Sequence, residues 1–142
     1  MHIRVLGSAA GGGYPQWNCN HPNSRKARQN TPEAPQRTQS SIAVSADGLK
    51  WVLFNASPDL RQQIADNDIL HPKDLLRDSP IKAVVLTNAD VDHVGGLLNL
   101  RESQPLNIYG TTRVLSVLES NTIFNVLNPK FCNYGFVSES IW

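Results

Sequence analysis

Five short apolar runs predict β-strands, at 3–6, 39–45, 51–55, 81–87 and 106–109. The run at 81–87 is almost unbroken and rich in β-branched residues, the pattern of a central strand buried on both faces. Asp47-Gly48, between the second and third runs, predicts a hairpin turn. Helices are predicted from Ser57, which can cap with Pro58 at the first helical position, and from Pro72, carrying Leu75 and Leu76. Two more are predicted, one beginning with Leu97, Leu98 and Leu100 and one over 111–118. Residues 18–38 are polar and without periodicity, and read as a long surface loop. The order of these elements predicts an α/β domain built on a mixed sheet, with helices packed on one side and strand 81–87 at its centre.

The bulk properties narrow the function class. A length of 142 residues fits one domain able to bury a core, and 40% apolar with 18% charged residues is a globular composition. A formal net charge of +1 gives no electrostatic case for nucleic acid or an anionic membrane surface. No apolar stretch is long enough to span a membrane, and the opening MHIRVLGSAAGGG lacks the apolar core of a secretory signal. Cys19 and Cys132 lie far apart and read as free thiols in a reducing cytoplasm, the expected location.

Two polar clusters follow directly on strands, where sites in layered α/β domains gather. The first is the glycine-rich stretch Gly7–Gly13. It lacks the Lys-Ser/Thr of a phosphate loop and the spacing of a dinucleotide fingerprint, so it reads as a tight turn lining a cleft. The second is Asn88-Ala89-Asp90-Val91-Asp92-His93. Asp90 and Asp92, two apart on extended chain, point the same way, and His93 can turn in beside them; carboxylates and imidazole suit Zn, Mn or Fe(II). Gly95-Gly96 would leave room next to such a site. The plainer alternative is a polar turn whose carboxylates cap the following helix. Near Asp59, likewise, a carboxylate can simply complement a helix dipole. Alternatively Asp59 and Arg61 line the cleft, with Arg61 clamping a substrate carboxylate. His2 and His71 read as surface residues.

Thr87 to Leu98, with the strand before it, resembles the metallo-β-lactamase motif, a strand ending in T-H-x-H-x-D-H followed by Gly-Gly and a helix. The motif's first two histidines fall on Asn88 and Asp90, and its Asp-His pair on Asp92 and His93. Val5 to Cys19, Arg37 to Ser45 and Asn55 to Gln63 further resemble the coenzyme PQQ synthesis protein B family, over about residues 1–127. The resemblance implies the N-terminal half of an αββα-type metallo-β-lactamase fold. A second half with further ligands lies outside this chain, and 128–142 departs from the family pattern.

With two of the four motif ligands replaced, what remains is a single catalytic metal on Asp92 and His93, with Asp90 as a further ligand. The resemblance also implies a C-x-C-x-x-C structural zinc loop at Cys19-Asn20-His21-Pro22-Asn23-Ser24. Only Cys19 and His21 persist there as zinc-ligand types, so a metal-free loop is expected. The implied function is biosynthesis of pyrroloquinoline quinone (PQQ), by Fe(II)-dependent hydroxylation of the tyrosine ring of a peptide-derived Glu–Tyr intermediate. The alternatives are a carrier moving PQQ or its precursor toward the periplasm, and a metal-dependent hydrolase. Expected partners are that precursor or PQQ and other PQQ-biosynthesis proteins, with no nucleic acid and no membrane insertion. This half alone is expected to be inactive.

Overall fold

A computed structural model describes residues 1–137, so 138–142, the end of the tail that the sequence reading set apart, lie outside the described residues. Six strands form one sheet in sequence order: β1 (His2–Gly7), β2 (Ser41–Ser45), β3 (Trp51–Phe54), β4 (Ile81–Val85), β5 (Leu106–Gly110) and β6 (Cys132–Phe136). The first two pairings are antiparallel and the last three parallel, so the sheet is mixed and β4 is interior, as expected. The helices are α1 (Pro22–Arg28), α2 (Leu60–Ala65), α3 (Val91–Val94) and α4 (Thr112–Ser120). Among the described residues no helix is long and apolar enough to cross a membrane.

Register builds the core. Ala43, Leu53, Val84 and Ile108 sit opposite one another across β2 to β5 and are completely buried. Leu60 of α2, Leu97, and Leu115 and Leu118 of α4 pack in the same core cluster, so these helical segments cover one face. The alternate residues form a second apolar row: Ile3 and Val5 oppose Val44 and Ile42, and Phe54 opposes Val85. That row is only partly covered, with Ile3 60% and Val5 62% exposed.

The structure departs from the sequence reading in several elements. The 18–38 segment contains α1, started by Pro22 at its first position and by His21, whose Nδ1 accepts from Asn23 N at 3.3 Å. Only Ser24 and Ala27 of this polar helix are buried, too little to leave an amphipathic signature. Helix α2 begins at Leu60, because Ser57 is buried and gives its hydroxyl to Gln63 Oε1 at 3.4 Å rather than capping. No helix forms after Pro72, where Leu75 and Leu76 are exposed; one short turn with no surface to cover cannot meet the cost of nucleation. Helical structure behind the motif starts at Val91 and continues as a 3-10 stretch over Gly95–Leu100, earlier than Leu97. Finally, β6 lies within the 128–142 segment that the sequence reading left without an element, formed by pairing along β5 from Leu106↔Cys132 to Gly110↔Phe136.

Candidate metal centre

Strand β4 delivers the polar loop to the carboxyl edge of the sheet, and Asn55, just past the end of β3, holds it there. The Asn55 carboxamide oxygen accepts from Thr87 N at 2.9 Å and from the Thr87 hydroxyl at 3.0 Å, while Asn55 N donates to Val85 O. Its φ of 62° is left-handed, which asparagine tolerates better than most residues. Asn88 then folds back, its Oδ1 accepting from Asp90 N at 2.9 Å in an Asx turn. This turn aims Asp90 and the first turn of α3 at one point.

There Asp90, Asp92 and His93 converge, their candidate ligand atoms all within 4.8 Å of one another. It is the one group of three such donors among the described residues. Neither carboxylate caps α3: Asp90 is the cap residue but makes no side-chain capping bond. The helix-capping alternative is therefore not what these side chains do. His93 Nδ1 is buried and lies 3.1 Å from Asp92 Oδ1, yet has no partner with hydrogen-bond geometry. A buried polar atom without a partner is costly, and two carboxylates beside an imidazole are a donor set for a divalent cation. The residues present thus fit a metal.

The walls of the site are backbone. A Cβ on Gly11 would stand 2.9 Å from Asp92 Oδ2, so the glycine-rich stretch passes directly over the Asp92 carboxylate. Gly11 O in turn accepts from Gln39 Nε2 at 2.7 Å. On the far side, Ala56 and the 93–96 turn are laced together by Ala56 N to His93 O at 2.7 Å and Gly96 N to Ala56 O at 2.8 Å. A Cβ on Gly96 would fall 2.1 Å from Ser57 O. Gly96 therefore admits the 56–57 backbone, rather than leaving room beside Asp92 and His93 as the sequence suggested.

Behind this wall runs a buried polar network that sequence reading missed. Gln63 Nε2 donates to Gln39 O at 2.7 Å and to Thr38 Oγ1 at 3.0 Å, and Asn67 Nδ2 donates to Gln63 O at 2.7 Å. Asp59 Oδ2 accepts from Gln39 N at 2.9 Å, which fixes the strand entering β2. Asp59 also lines an open groove with Gly12, Tyr14, Arg37 and Thr38, whereas Arg61 is exposed on α2 and does not reach that groove. Asn55, Gln39 and Gln63 tie these segments together; their partners lie far off in sequence, and no local pattern marks them.

The Cys19 loop is organised without a metal. Ser24 Oγ donates to Cys19 Sγ at 3.1 Å, and His21 spends Nδ1 on the α1 cap. No third donor joins Cys19 and His21 among the described residues, so the loop does not fit a structural zinc. The Ser24 hydrogen bond, then the His21 backbone amide and the Arg28 charge, lower the Cys19 pKa against an opposing effect of burial. Cys132 goes the other way, raised by burial alone, and neither cysteine is in a disulfide.

Residues 50–138 match the beta-lactamase superfamily domain. The chain is 57% identical over 131 residues to coenzyme PQQ synthesis protein B of Xanthomonas oryzae pv. oryzae, covering 92% of this chain and 44% of that protein. It is 58% identical over 127 residues to the protein of that name from Methylobacterium radiotolerans, covering 89% and 42%. Among solved structures, Zn(2+)-bound PqqB from Methylobacterium extorquens superposes with a TM-score of 0.94 at 51% identity, over 97% of this chain and 50% of that one. A diphosphatase of the PhnP family superposes at 0.75 with 25% identity, over 96% and 50%. The chain thus spans about half the length of the proteins it matches. The order of the strands, the loop at the end of β4 and these similarities agree: the chain belongs to the beta-lactamase superfamily and is similar to the coenzyme PQQ synthesis B proteins.

Proposed function

We propose that this chain is the N-terminal half of a PQQ-biosynthesis protein and that Asp90, Asp92 and His93 hold a single catalytic metal. The observation that carries the reading is the convergence of the three side chains within 4.8 Å around a buried, unpartnered His93 Nδ1. The similarity to PqqB, solved with Zn(2+) bound, supports metal binding by this fold. The partly covered apolar row of Ile3, Val5, Ile42 and Phe54 suits the second sheet of an αββα sandwich, which would bring further ligands to the seam. The complete protein would act in the cytoplasm on a small peptide-derived precursor.

The reaction proposed is hydroxylation of the tyrosine ring of the Glu–Tyr intermediate: one oxygen of dioxygen replaces a ring hydrogen, and the other leaves as water, with two electrons from an external two-electron reductant and two protons from solvent. Fe(II), when bound by carboxylate and imidazole with positions left open, supplies the redox chemistry. The chain's own contribution is geometric. Asn55 and the Asn88 turn fix the direction of Asp90, and Gly11 roofs Asp92 with backbone that offers no competing side chain. Asn88 is already engaged with Asp90 N, which supports one metal rather than a two-metal hydrolase.

The test uses the complete protein. Asp92→Ala and His93→Ala should each lose iron and oxygen-dependent turnover, with the native fold retained by circular dichroism. Normal iron content and turnover in both variants would overturn the ligand assignment. Tight PQQ binding without any turnover in the wild type would replace the enzyme reading with the carrier.

A further inference from the structure

An open cavity of about 470 Å³ adjoins the candidate metal centre. One wall is Thr87, Asn88 and Asp90 from the loop after β4; the other is Thr111, Arg113 and Val114 from the start of α4. Asp90 is thus common to the metal triad and the cavity. Arg113 is the cationic side chain of the lining, and among the described residues no carboxylate pairs with it. Thr111 Oγ1 already accepts from Val114 N, so the helix start has its own cap and recognition of an anion falls to the guanidinium.

We infer that this cavity is the substrate's carboxylate subsite, with Arg113 as the residue that binds it. The inference rests on the metal reading of Asp90, Asp92 and His93. A cavity holding Asp90 and Arg113 alone is close to neutral and has little pull on an anion. With Asp90 committed to a divalent cation, Arg113 is left as an unopposed positive charge facing the same space. A guanidinium fork matches a carboxylate in bidentate fashion, which fixes orientation as well as position. A peptide-derived Glu–Tyr conjugate carries carboxylates at a distance from its ring. Seating one on Arg113 would present the remainder of the molecule along the wall formed by Thr87 and Asn88, toward the triad. Arg61 lies on α2 and does not line this cavity, whereas Arg113 does.

The test is calorimetric titration of the metal-loaded complete protein with a synthetic Glu–Tyr conjugate, as the free acid and as its methyl ester. Wild type should bind the acid at least ten-fold more tightly than the ester, a difference of about 1.4 kcal/mol. Arg113→Ala should erase the preference while metal content and melting temperature stay at wild-type values; Arg113→Lys should keep part of it, charge without the fork. Equal binding of acid and ester by wild type, or a preference that survives in Arg113→Ala, would overturn the subsite and leave the metal reading standing. No binding of either form by wild type would overturn the subsite together with the proposed substrate.

Discussion

Asn55 and Thr87, thirty-two positions apart in sequence, meet through one carboxamide oxygen that accepts both the amide and the hydroxyl of Thr87. The end of β3 thereby sets the course of the polar loop at the end of β4. Asn55→Ala should weaken metal binding about 10- to 100-fold, the usual effect of removing a residue that orients ligands. Asn55→Gly relieves the left-handed backbone but also lacks the acceptor, so it should be equally impaired. Competition titration with a chromogenic chelator measures this; full affinity in Asn55→Gly would show that backbone conformation, not the hydrogen bonds, is what matters.

Two glycines should respond in opposite ways. At position 11 an added methyl meets the Asp92 carboxylate at 2.9 Å, so Gly11→Ala should lower metal affinity with little change in denaturant midpoint. At position 96 the methyl meets Ser57 O at 2.1 Å, which is backbone and cannot swing away. Gly96→Ala should destabilise by about 1–3 kcal/mol, as overpacking does. Urea unfolding and metal titration on the two variants check the division.

The Cys19 loop should be metal-independent and chemically reactive. Purified protein should carry no zinc removable by Cys19→Ser, whereas His21→Cys with Ser24→Cys should gain zinc by restoring a thiolate cluster. Cys19 should alkylate before Cys132, whose thiol pKa is raised by burial. Ser24→Ala removes the main influence lowering the Cys19 pKa, so its alkylation at neutral pH should slow. Iodoacetamide labelling followed by mass spectrometry reads both cysteines at once.

Asp47 gives the hairpin a pH signature. Its pKa is lowered from 3.8 to about 2, chiefly by the Lys50 amide and then the Leu49 amide, which donate to the ionised carboxylate. A depressed pKa means the folded state favours the ionised form. The associated stability is present above about 3.8 and is lost as pH falls through about 2. Thermal melts across that window should show a decline in wild type that is shallower in Asp47→Asn; identical slopes would show that the turn bonds contribute nothing.

Sequence by itself determined the five main strands, the hairpin and the place of the polar loop after β4. These follow from local regularities: alternation or continuity of apolar side chains, an Asp-Gly turn, and polar residues gathered after a buried run. Position after a strand also brought Asp90, Asp92 and His93 under suspicion, and the fold brings their ligand atoms together. What only tertiary structure decided is which polar side chains are spent on holding the site. Ser57 looked like a cap and is instead a buried partner of Gln63; His21 looked like a zinc ligand and is a cap. Gln39 reaches back twenty-eight positions to Gly11, and β6 exists because β5 offers it an edge rather than because Cys-Asn-Tyr-Gly-Phe favours a strand. A hydrogen-bonding side chain is indifferent to sequence distance, so its partner is settled only when the sheet has assembled and its surroundings have lost water.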